Sequence, residues 1–303
     1  MREENQASEP ADETLRRLNR WAEAQPSVRA MLLTSTRAIP HATVDALSDY
    51  DVILVVEDIH AFVAERQWPE AFGEVLVSYW DPVHPNPATG VEQAGNVIQY
   101  AGGLKIDFTL WPVALLRQIA QAPALPAELD AGYVVLLDKD QLAAGMPAPT
   151  YTAYIPRPPD QETFQRVVEE FFSDAPYVAK CLWRGELLPA KWRLDYDMKH
   201  LYLRPMLEWR AECDHRWSAP VGALGKGLKK LLPPALWSQL EQTYVGAGMA
   251  ENWAALFSTM TLFRQAAMEV AAHLGYIYPE ELDRRVTAYV EQVKRLEPLA
   301  GSD

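Results

Sequence analysis

The chain has 303 residues, of which 49% are hydrophobic and 23% are charged, and its formal net charge is −13 at pH 7. This composition is typical of a folded globular protein, and the length is sufficient for two domains with separate cores. The acidic balance argues against phosphate-backbone binding as the main activity, so we expect no nucleic acid among the partners, and it suits a cationic small molecule.

The apolar runs and the cysteines indicate the expected cell compartment. No apolar run approaches the length of a membrane span, and residues 1–13 contain no hydrophobic signal-peptide core. Cys181 and Cys213 have neither metal-ligand spacing nor the look of a disulfide framework. We expect a cytoplasmic protein with no membrane partner. The sequence leaves open whether it is a monomer or a homodimer.

The first half of the chain alternates between helix-like and strand-like segments. The strand-like run at 50–56, YDVILVV, is β-branched and apolar, so we expect it to be covered on both faces. Gly102 and Gly103 predict the turn of a hairpin. In chain order, the patterns predict a helix at 14–24, strands at 28–34 and 50–56, a helix at 58–67, an element at 72–80 ending in a strand, hairpin strands at 96–100 and 104–111, a helix at 112–120 and a strand at 133–137.

The second half is almost wholly helical. Residues 145–159 hold five prolines and no helical period, which predicts an interdomain linker. Beyond it, apolar spacing near the helical period predicts helices at 161–172, 177–213, 225–232, 234–244, 251–274 and 279–296. We therefore predict an α+β protein in which a mixed sheet with helices, residues 1–150, precedes a helical bundle, residues 151–303. Active sites favour the cleft between two such domains.

Three aspartates lie in strand-like surroundings. Asp49 and Asp51 lie at the start of the strand 50–56, and side chains two residues apart on a strand point to the same side. Carboxylates this close repel each other unless a cation neutralises them, and hard oxygen ligands suit Mg²⁺. Asp107 lies between apolar neighbours, where an unpaired carboxylate is costly. The three fit a two-metal site, with ions roughly 3.5–4 Å apart, that clamps an in-line phosphoryl displacement.

Simpler roles for the same residues are open on the sequence alone. Asp49 and Asp51 could cap a strand end at the surface. Asp107 could be a core carboxylate held by Lys105 or Arg37, and we expect Arg37 to be a structural cation rather than a substrate contact.

The hydroxyl-bearing turn Ser35–Thr36, the SDYD of residues 48–51 and the later Asp107 form a pattern that resembles the polymerase-beta-like nucleotidyltransferases. Within that superfamily, the chain is similar to the aminoglycoside 6-adenylyltransferases, the streptomycin-modifying enzymes. The similarity extends from about residue 14 to 296. It includes IDFTL at 106–110, YVAKCLWR at 177–184, AKW at 190–192, MLEW at 206–209, GKGLKK at 225–230 and LFR at 262–264.

The resemblance implies both an architecture and a reaction. Residues 1–150 would be a polymerase-beta-like nucleotidyltransferase domain, and the helical domain would contribute nucleotide and aminoglycoside contacts. The reaction would be Mg²⁺-dependent transfer of AMP from ATP to an aminoglycoside hydroxyl, with the 6-hydroxyl of streptomycin as the expected acceptor, conferring antibiotic resistance. Asp49, Asp51 and Asp107 would be the catalytic residues that bind two Mg²⁺ ions, and Asp107 would also take the proton of the attacking hydroxyl.

The hydroxyl turn departs from the family pattern at one position. The family usually has Gly-Ser where this chain has Ser35–Thr36, and glycine lets the backbone come close to the phosphates. We expect Ser35 and Thr36 to contact the nucleotide, although as turn residues they could instead bond local backbone groups. The departure prompts an alternative function, a non-catalytic or weakly active nucleotide- or aminoglycoside-binding relative. A further alternative keeps the chemistry and changes the acceptor.

The resemblance assigns other contacts to the helical domain. Lys180 and Lys191 are expected to bind the triphosphate, because charge leaves with pyrophosphate and must be neutralised. Glu186, Asp195 and Trp183 are expected to bind the cationic sugar through charge and ring stacking. By composition alone, Lys180, Arg184 and Lys191 suit at least as well a solvated helix face with ion pairs to Glu186 or Asp195.

Overall fold

The computed structural model describes residues 12–40 and 42–297. The chain divides into two compact units, Met1–Ala153 and Tyr154–Asp303. Each unit has hydrophobic core clusters of its own. In the described part of the chain, no helix is both long and apolar enough to cross a lipid bilayer.

The first unit combines a mixed sheet with short helices. Its strands and helices are α1 (Glu13–Ala24), β1 (Val28–Thr34), β2 (Tyr50–Val56), α2 (Ile59–Ala64), β3 (Val75–Trp80), β4 (His84–Pro85), β5 (Glu92–Tyr100), β6 (Lys105–Pro112), α3 (Val113–Ala120), α4 (Ala127–Asp130) and β7 (Tyr133–Asp138). Helix α1 begins where the Asp12 carboxylate accepts hydrogen bonds from the amides of Thr14 and Leu15, which would otherwise lack a partner.

The strand order of the sheet is β3-β5-β6-β2-β1-β7, with β4 paired to β5. Along this order all neighbours are antiparallel except β2 and β6, which run parallel with Asp51 opposite Asp107. Strand β1 pairs with β2 so that Thr34 lies opposite Asp51. The end of β1 and the starts of β2 and β6 therefore meet at one edge of the sheet.

Strand β2 is buried on both faces, as its sequence predicts. Val52 and Leu54 pack into one core cluster, whereas Ile53 and Val55 pack into a second cluster on the other face. Neighbouring side chains on a strand point to opposite faces, so this division follows from the pleat. Burial on both sides fixes the register of β2 and hence the position of the aspartates at its start.

The second unit contains only helices among its regular elements in the described residues. They are α5 (Gln161–Trp183), α6 (Leu187–Lys191), a π-helical segment (Trp192–Leu203), α7 (Arg204–His215), α8 (Leu228–Leu231), α9 (Pro234–Gln242), α10 (Met249–Leu274) and α11 (Glu280–Arg295). Its core includes Phe171 of α5 stacked on Phe263 of α10, with ring centroids 3.7 Å apart. The predicted fold class, α+β with a helical C-terminal region, is confirmed.

The predicted helix boundaries near residues 172 and 177 were wrong. Pro176 lies inside α5 without ending it, because buried side chains such as Phe172 and Val178 on both sides keep the helix packed. Helix α5 ends instead at Trp183, just before Gly185, whose φ of +72° is a left-handed conformation that glycine adopts readily. The predicted helix at 177–213 is therefore divided into the end of α5, α6, the π-helical segment and α7.

Candidate active site

The structure brings the three predicted aspartates together at one edge of the sheet. Asp51 on β2 lies opposite Asp107 on β6, and Asp49 lies two residues before Asp51. The ammonium of Lys105, two residues before Asp107 on β6, joins two of them: its Nζ is 2.6 Å from Oδ2 of Asp49 and 2.8 Å from Oδ2 of Asp107. We call Asp49, Asp51 and Asp107 the aspartate cluster.

The aspartate cluster carries more negative charge than its surroundings neutralise. Burial raises the pKa of Asp51, and the charges of Asp107 and Asp49 raise it further, against a hydrogen bond from Ser35 and the charge of Lys105. Burial alone would lower the pKa of Lys105, but its bonds to the two carboxylates outweigh burial and raise it. One ammonium thus bonds to two of the three carboxylates and acts on the third, that of Asp51, only through its charge.

The donor set of the aspartate cluster fits a hard divalent cation. Carboxylate oxygens are the ligands that Mg²⁺ prefers, and the buried Oδ1 of Asp107 has no hydrogen-bond partner among the described residues. Within residues 12–40 and 42–297, no group of three or more His, Cys, Asp or Glu side chains is arranged to hold a metal ion as the chain stands. The Lys105 ammonium contacts Asp49 and Asp107, two of the residues that would hold such an ion. The two-ion centre stays a prediction.

Arg37 has a structural role beside the cluster, as predicted. Its guanidinium donates to the carbonyl oxygens of Asp49 and Ser48, both at 3.0 Å, and stacks over the Tyr50 ring. A third contact joins it to the carboxylate of Asp12. Arg37 therefore fixes the backbone that leads into β2, while Lys105 is the cation that holds Asp107.

The Ser35–Thr36 turn follows β1 directly and adopts a glycine-like backbone. Ser35 has a φ of +59°, a left-handed conformation that costs little for glycine and more for other residues. It begins a short 3₁₀ turn, Ser35–Ala38. The Thr34 hydroxyl donates to the Asp51 carbonyl at 3.3 Å, which ties the turn to β2. The backbone angle expected of a glycine is thus kept with a serine.

Comparison with known proteins identifies the family. A sequence profile of streptomycin adenylyltransferases matches residues 9–293. The chain belongs to this family. Membership confirms the predicted family and the predicted class of enzyme, an adenylyltransferase.

Individual relatives in this family match the chain over nearly its whole length. An aminoglycoside 6-adenylyltransferase of Campylobacter jejuni is 28% identical over 276 residues, 91% of this chain and 92% of the relative. One of Bacillus subtilis (strain 168) is 29% identical over 267 residues, 88% of this chain and 91% of the relative. A crystal structure of an aminoglycoside 6-adenyltransferase from Bacillus subtilis is 25% identical, with a TM-score of 0.43, and covers 94% of this chain and 97% of that one.

Several side chains that family resemblance assigns to ligands form ion pairs within the second unit. Lys191 lies 2.6 Å from the Asp195 carboxylate and donates to the Val245 carbonyl at 3.0 Å. Arg184 and Glu186 form a long, exposed pair at 4.0 Å. These are the ion pairs that the simpler interpretation expected. The assignment of Lys191, Asp195 and Glu186 to ligands stays a prediction.

The remaining predicted residues lie on α5, and sequence reasoning missed one buried lysine. Lys180 is exposed, and Trp183 is half-buried with an indole N–H that has no partner among the described residues. Lys199 is fully buried and bonds to Asp195 and to the Thr243 carbonyl. Burial lowers its pKa, against the charge and hydrogen bond of Asp195. The spacing of four residues between Asp195 and Lys199 could have revealed this pair.

Proposed function

We propose that this protein transfers AMP from ATP to the 6-hydroxyl of streptomycin in a Mg²⁺-dependent reaction that releases pyrophosphate. One observation carries the proposal: Asp51 and Asp107 lie side by side on parallel strands, and Asp49 reaches the same ammonium as Asp107. A site with three convergent carboxylates and one neutralising side chain is suited to bind cations and the anionic substrate that accompanies them.

Each residue of the site has a defined task. Asp49, Asp51 and Asp107 would hold Mg²⁺, which when bound neutralises the phosphates and the charge that develops on the leaving pyrophosphate. Asp107 accepts the proton of the attacking hydroxyl. As it does so, the hydroxyl oxygen bonds to the α-phosphorus and the bond from that phosphorus to pyrophosphate breaks. Ser35 and Thr36 orient the phosphates through the turn that follows β1. Positioning supplies much of the rate.

The acceptor contacts belong to the helical part of the chain in this proposal. Residues 1–150 act as the nucleotidyltransferase domain, and residues 151–303 supply Lys180 and Lys191 for the triphosphate. Glu186, Asp195 and Trp183 bind the cationic sugar. The net charge of −13 supports a cationic acceptor. The substrates are small molecules, ATP and the aminoglycoside, and the cytoplasm is the compartment that supplies ATP.

The test is release of pyrophosphate from Mg-ATP with streptomycin, beside spectinomycin, kanamycin and lincomycin as alternative acceptors. Of the four acceptors, we expect only streptomycin to give pyrophosphate release, together with a product whose mass shows one added adenylyl group. Asp49→Asn should lose both the pyrophosphate and the adenylylated product. Release with another acceptor would keep the chemistry and replace the substrate. Absence of release with every acceptor, in protein that still binds ATP, would contradict the proposal and favour a binding relative.

A further inference from the structure

Lys105 holds a position that the chemistry of an adenylyltransferase leaves unexplained. It precedes Asp107 by two residues on β6, so both side chains lie on the same face of the sheet. Its ammonium reaches Asp49, 56 residues earlier in the chain, as well as Asp107. Both contacts are short and charge-assisted, and they join the two carboxylates through a single cation.

The contacts of Lys105 are those of a cation at the centre of a carboxylate site. Its Nζ touches one oxygen of each carboxylate, while Oδ1 of Asp107 stays buried without a partner among the described residues. Arg37 cannot substitute for it, because the Arg37 guanidinium is already bound to backbone carbonyls and to Asp12. Without Lys105, three close carboxylates would repel each other in a partly desolvated site.

The side chain of Lys105 can also move away from the two carboxylates. It is 29% exposed, and the ammonium is carried on a flexible four-carbon stem. Nζ contacts one oxygen of each carboxylate, so a divalent ion that bound Asp49 and Asp107 through those two oxygens would have to displace it. Binding of an ion in that way and the present Lys105 contacts are mutually exclusive.

The geometry points to Lys105 as a built-in counter-cation that keeps the aspartate cluster assembled before metal binds and that a divalent ion must displace. Lys105 is a positioning residue in this role. It lowers the affinity of the free chain for a divalent ion and stabilises the metal-free fold. This inference rests on the proposed function, because it takes the aspartate cluster as the metal site.

The experiment measures Mn²⁺ binding to the full chain without nucleotide, from the electron paramagnetic resonance signal of free Mn²⁺. Lys105→Met removes the charge and keeps an unbranched side chain. We expect it to bind Mn²⁺ more tightly by about tenfold or more, to unfold at a lower temperature without metal, and to gain more thermal stability from Mn²⁺ than the wild-type chain gains. Lys105→Arg, which keeps the charge, should retain the weak affinity of the wild type.

Lys139→Met is the matched control in the same unit. The Lys139 ammonium donates to the carbonyl oxygens of Ala22, Glu23 and Gln25 and contacts no member of the aspartate cluster. We expect this variant to lose thermal stability without a change in Mn²⁺ affinity. A general loosening of the unit would instead alter Mn²⁺ affinity in both variants, which would overturn the role of Lys105.

The outcomes separate this inference from the proposed function. Equal or weaker Mn²⁺ binding by Lys105→Met, with binding by the wild type intact, would overturn displacement and leave a metal-dependent transferase. Absence of Mn²⁺ binding in the wild type, in Lys105→Met and in a Lys105→Gln variant would overturn both, because the aspartate cluster would then not be a metal site. If Lys105→Met fails to fold, the Lys105→Gln variant gives the same comparison.

Discussion

The aspartate cluster of the first unit and Asp283 of the second unit differ in how completely their carboxylates are neutralised. In the aspartate cluster of the first unit, the Lys105 ammonium bonds to two of the three carboxylates, and burial raises the pKa of Asp51. In the second unit, Asp283 binds the Arg264 guanidinium and accepts hydrogen bonds from the hydroxyls of Tyr278 and Thr287. Burial would raise the pKa of Asp283, but these bonds outweigh it and lower that pKa. A carboxylate with full partners has a structural role, whereas an excess of carboxylates leaves room for a ligand.

The same contrast bears on the predicted sugar contacts. Asp195 lies between two lysines, with Lys191 at 2.6 Å and Lys199 at 2.7 Å. A cationic sugar would have to compete with both ammonium groups for this carboxylate. The role of Asp195 in acceptor binding therefore requires that one lysine releases it, and Glu186, whose pair with Arg184 is long and exposed, is the easier contact to form.

The largest expected effect is the loss of catalysis in Asp49→Asn. The substitution removes one charge from the aspartate cluster, and we expect kcat/KM to fall by about a thousandfold or more, because the charge acts on the transition state. The melting temperature should stay within about 2 °C of the wild type, because the amide oxygen of asparagine can still accept the Lys105 hydrogen bond. Pyrophosphate release and thermal unfolding measure the two effects.

A matched control lies just beyond the other end of β2. Glu57 is exposed, and its ion pair with Arg29 is long, at 3.7 Å. Glu57→Gln should therefore leave both activity and stability unchanged. A large loss of activity in Glu57→Gln, or retained activity in Asp49→Asn, would contradict the division between catalytic and structural carboxylates.

The next effect is on stability, and it lies in the second unit. Asp283 has a side chain only 6% exposed, and Asp283→Asn would leave the Arg264 charge without its carboxylate. We expect the free energy of unfolding of this unit to fall by about 3 kcal/mol or more, with kcat of the folded protein unchanged. Urea unfolding and pyrophosphate release check the two statements.

Glu281→Gln provides the control on the same helix, α11. The Arg284–Glu281 pair has a similar distance, 2.6 Å, but its side chains are 69% and 66% exposed. Solvent screens such a pair, so the free energy of unfolding of Glu281→Gln should stay close to that of the wild type. Equal losses in the Asp283 and Glu281 variants would show that burial does not decide the contribution of these pairs.

The local sequence predicted those parts of the fold whose signals are local. The bounds of β1 and β2 match the predicted ranges 28–34 and 50–56, because both are apolar runs buried on two faces. The pair Asp49 and Asp51 could be recognised from the sequence because it lies at the start of the predicted strand β2. The parallel pairing of β2 with β6 could not be recognised, because it joins residues far apart in the chain, and this pairing sets Asp51 opposite Asp107.

The helical half shows what periodicity cannot specify. Apolar spacing continues across Gly185 and through the segment Trp192–Leu203, so the sequence predicted one long helix. In the structure, α5 ends before Gly185, and Trp192–Leu203 is a π-helix. The burial of Lys199 depends on the Thr243 carbonyl, 44 residues later, and on the Tyr244 ring. Contacts of that range leave no local pattern.

A smaller effect is expected on the pH dependence of the metal-free chain. The pKa of Asp51 is higher in the folded state than in the unfolded state, so ionisation of Asp51 opposes folding. The stabilising contribution of protonated Asp51 is complete below the pKa of the unfolded state, near pH 4. It is lost as the pH rises through the pKa of the folded state. Asp51→Asn should therefore melt about 2–4 °C higher than the wild type at neutral pH with a chelator.

The difference between Asp51→Asn and the wild type should vanish below about pH 4, where Asp51 is protonated in both states. Asp58→Asn is a control, because the exposed Asp58 caps α2 and asparagine caps a helix equally well. Melting curves recorded across this pH range, with chelator present, make the measurement. A wild type that is more stable than Asp51→Asn at neutral pH would mean that Lys105 and Ser35 together neutralise Asp51 fully.

The smallest effect concerns the Ser35 turn, where two substitutions separate the backbone from the side chain. Ser35 already has a φ of +59°, so glycine should relieve strain while alanine keeps it, and both remove the hydroxyl that bonds to Asp51. Ser35→Gly should be more stable than Ser35→Ala by about 1 kcal/mol in urea unfolding. Because the backbone already follows a glycine-like path, kcat/KM of Ser35→Gly should stay within about tenfold of the wild type. A larger activation would show that the serine side chain, rather than the backbone angle, limits the approach of the phosphates.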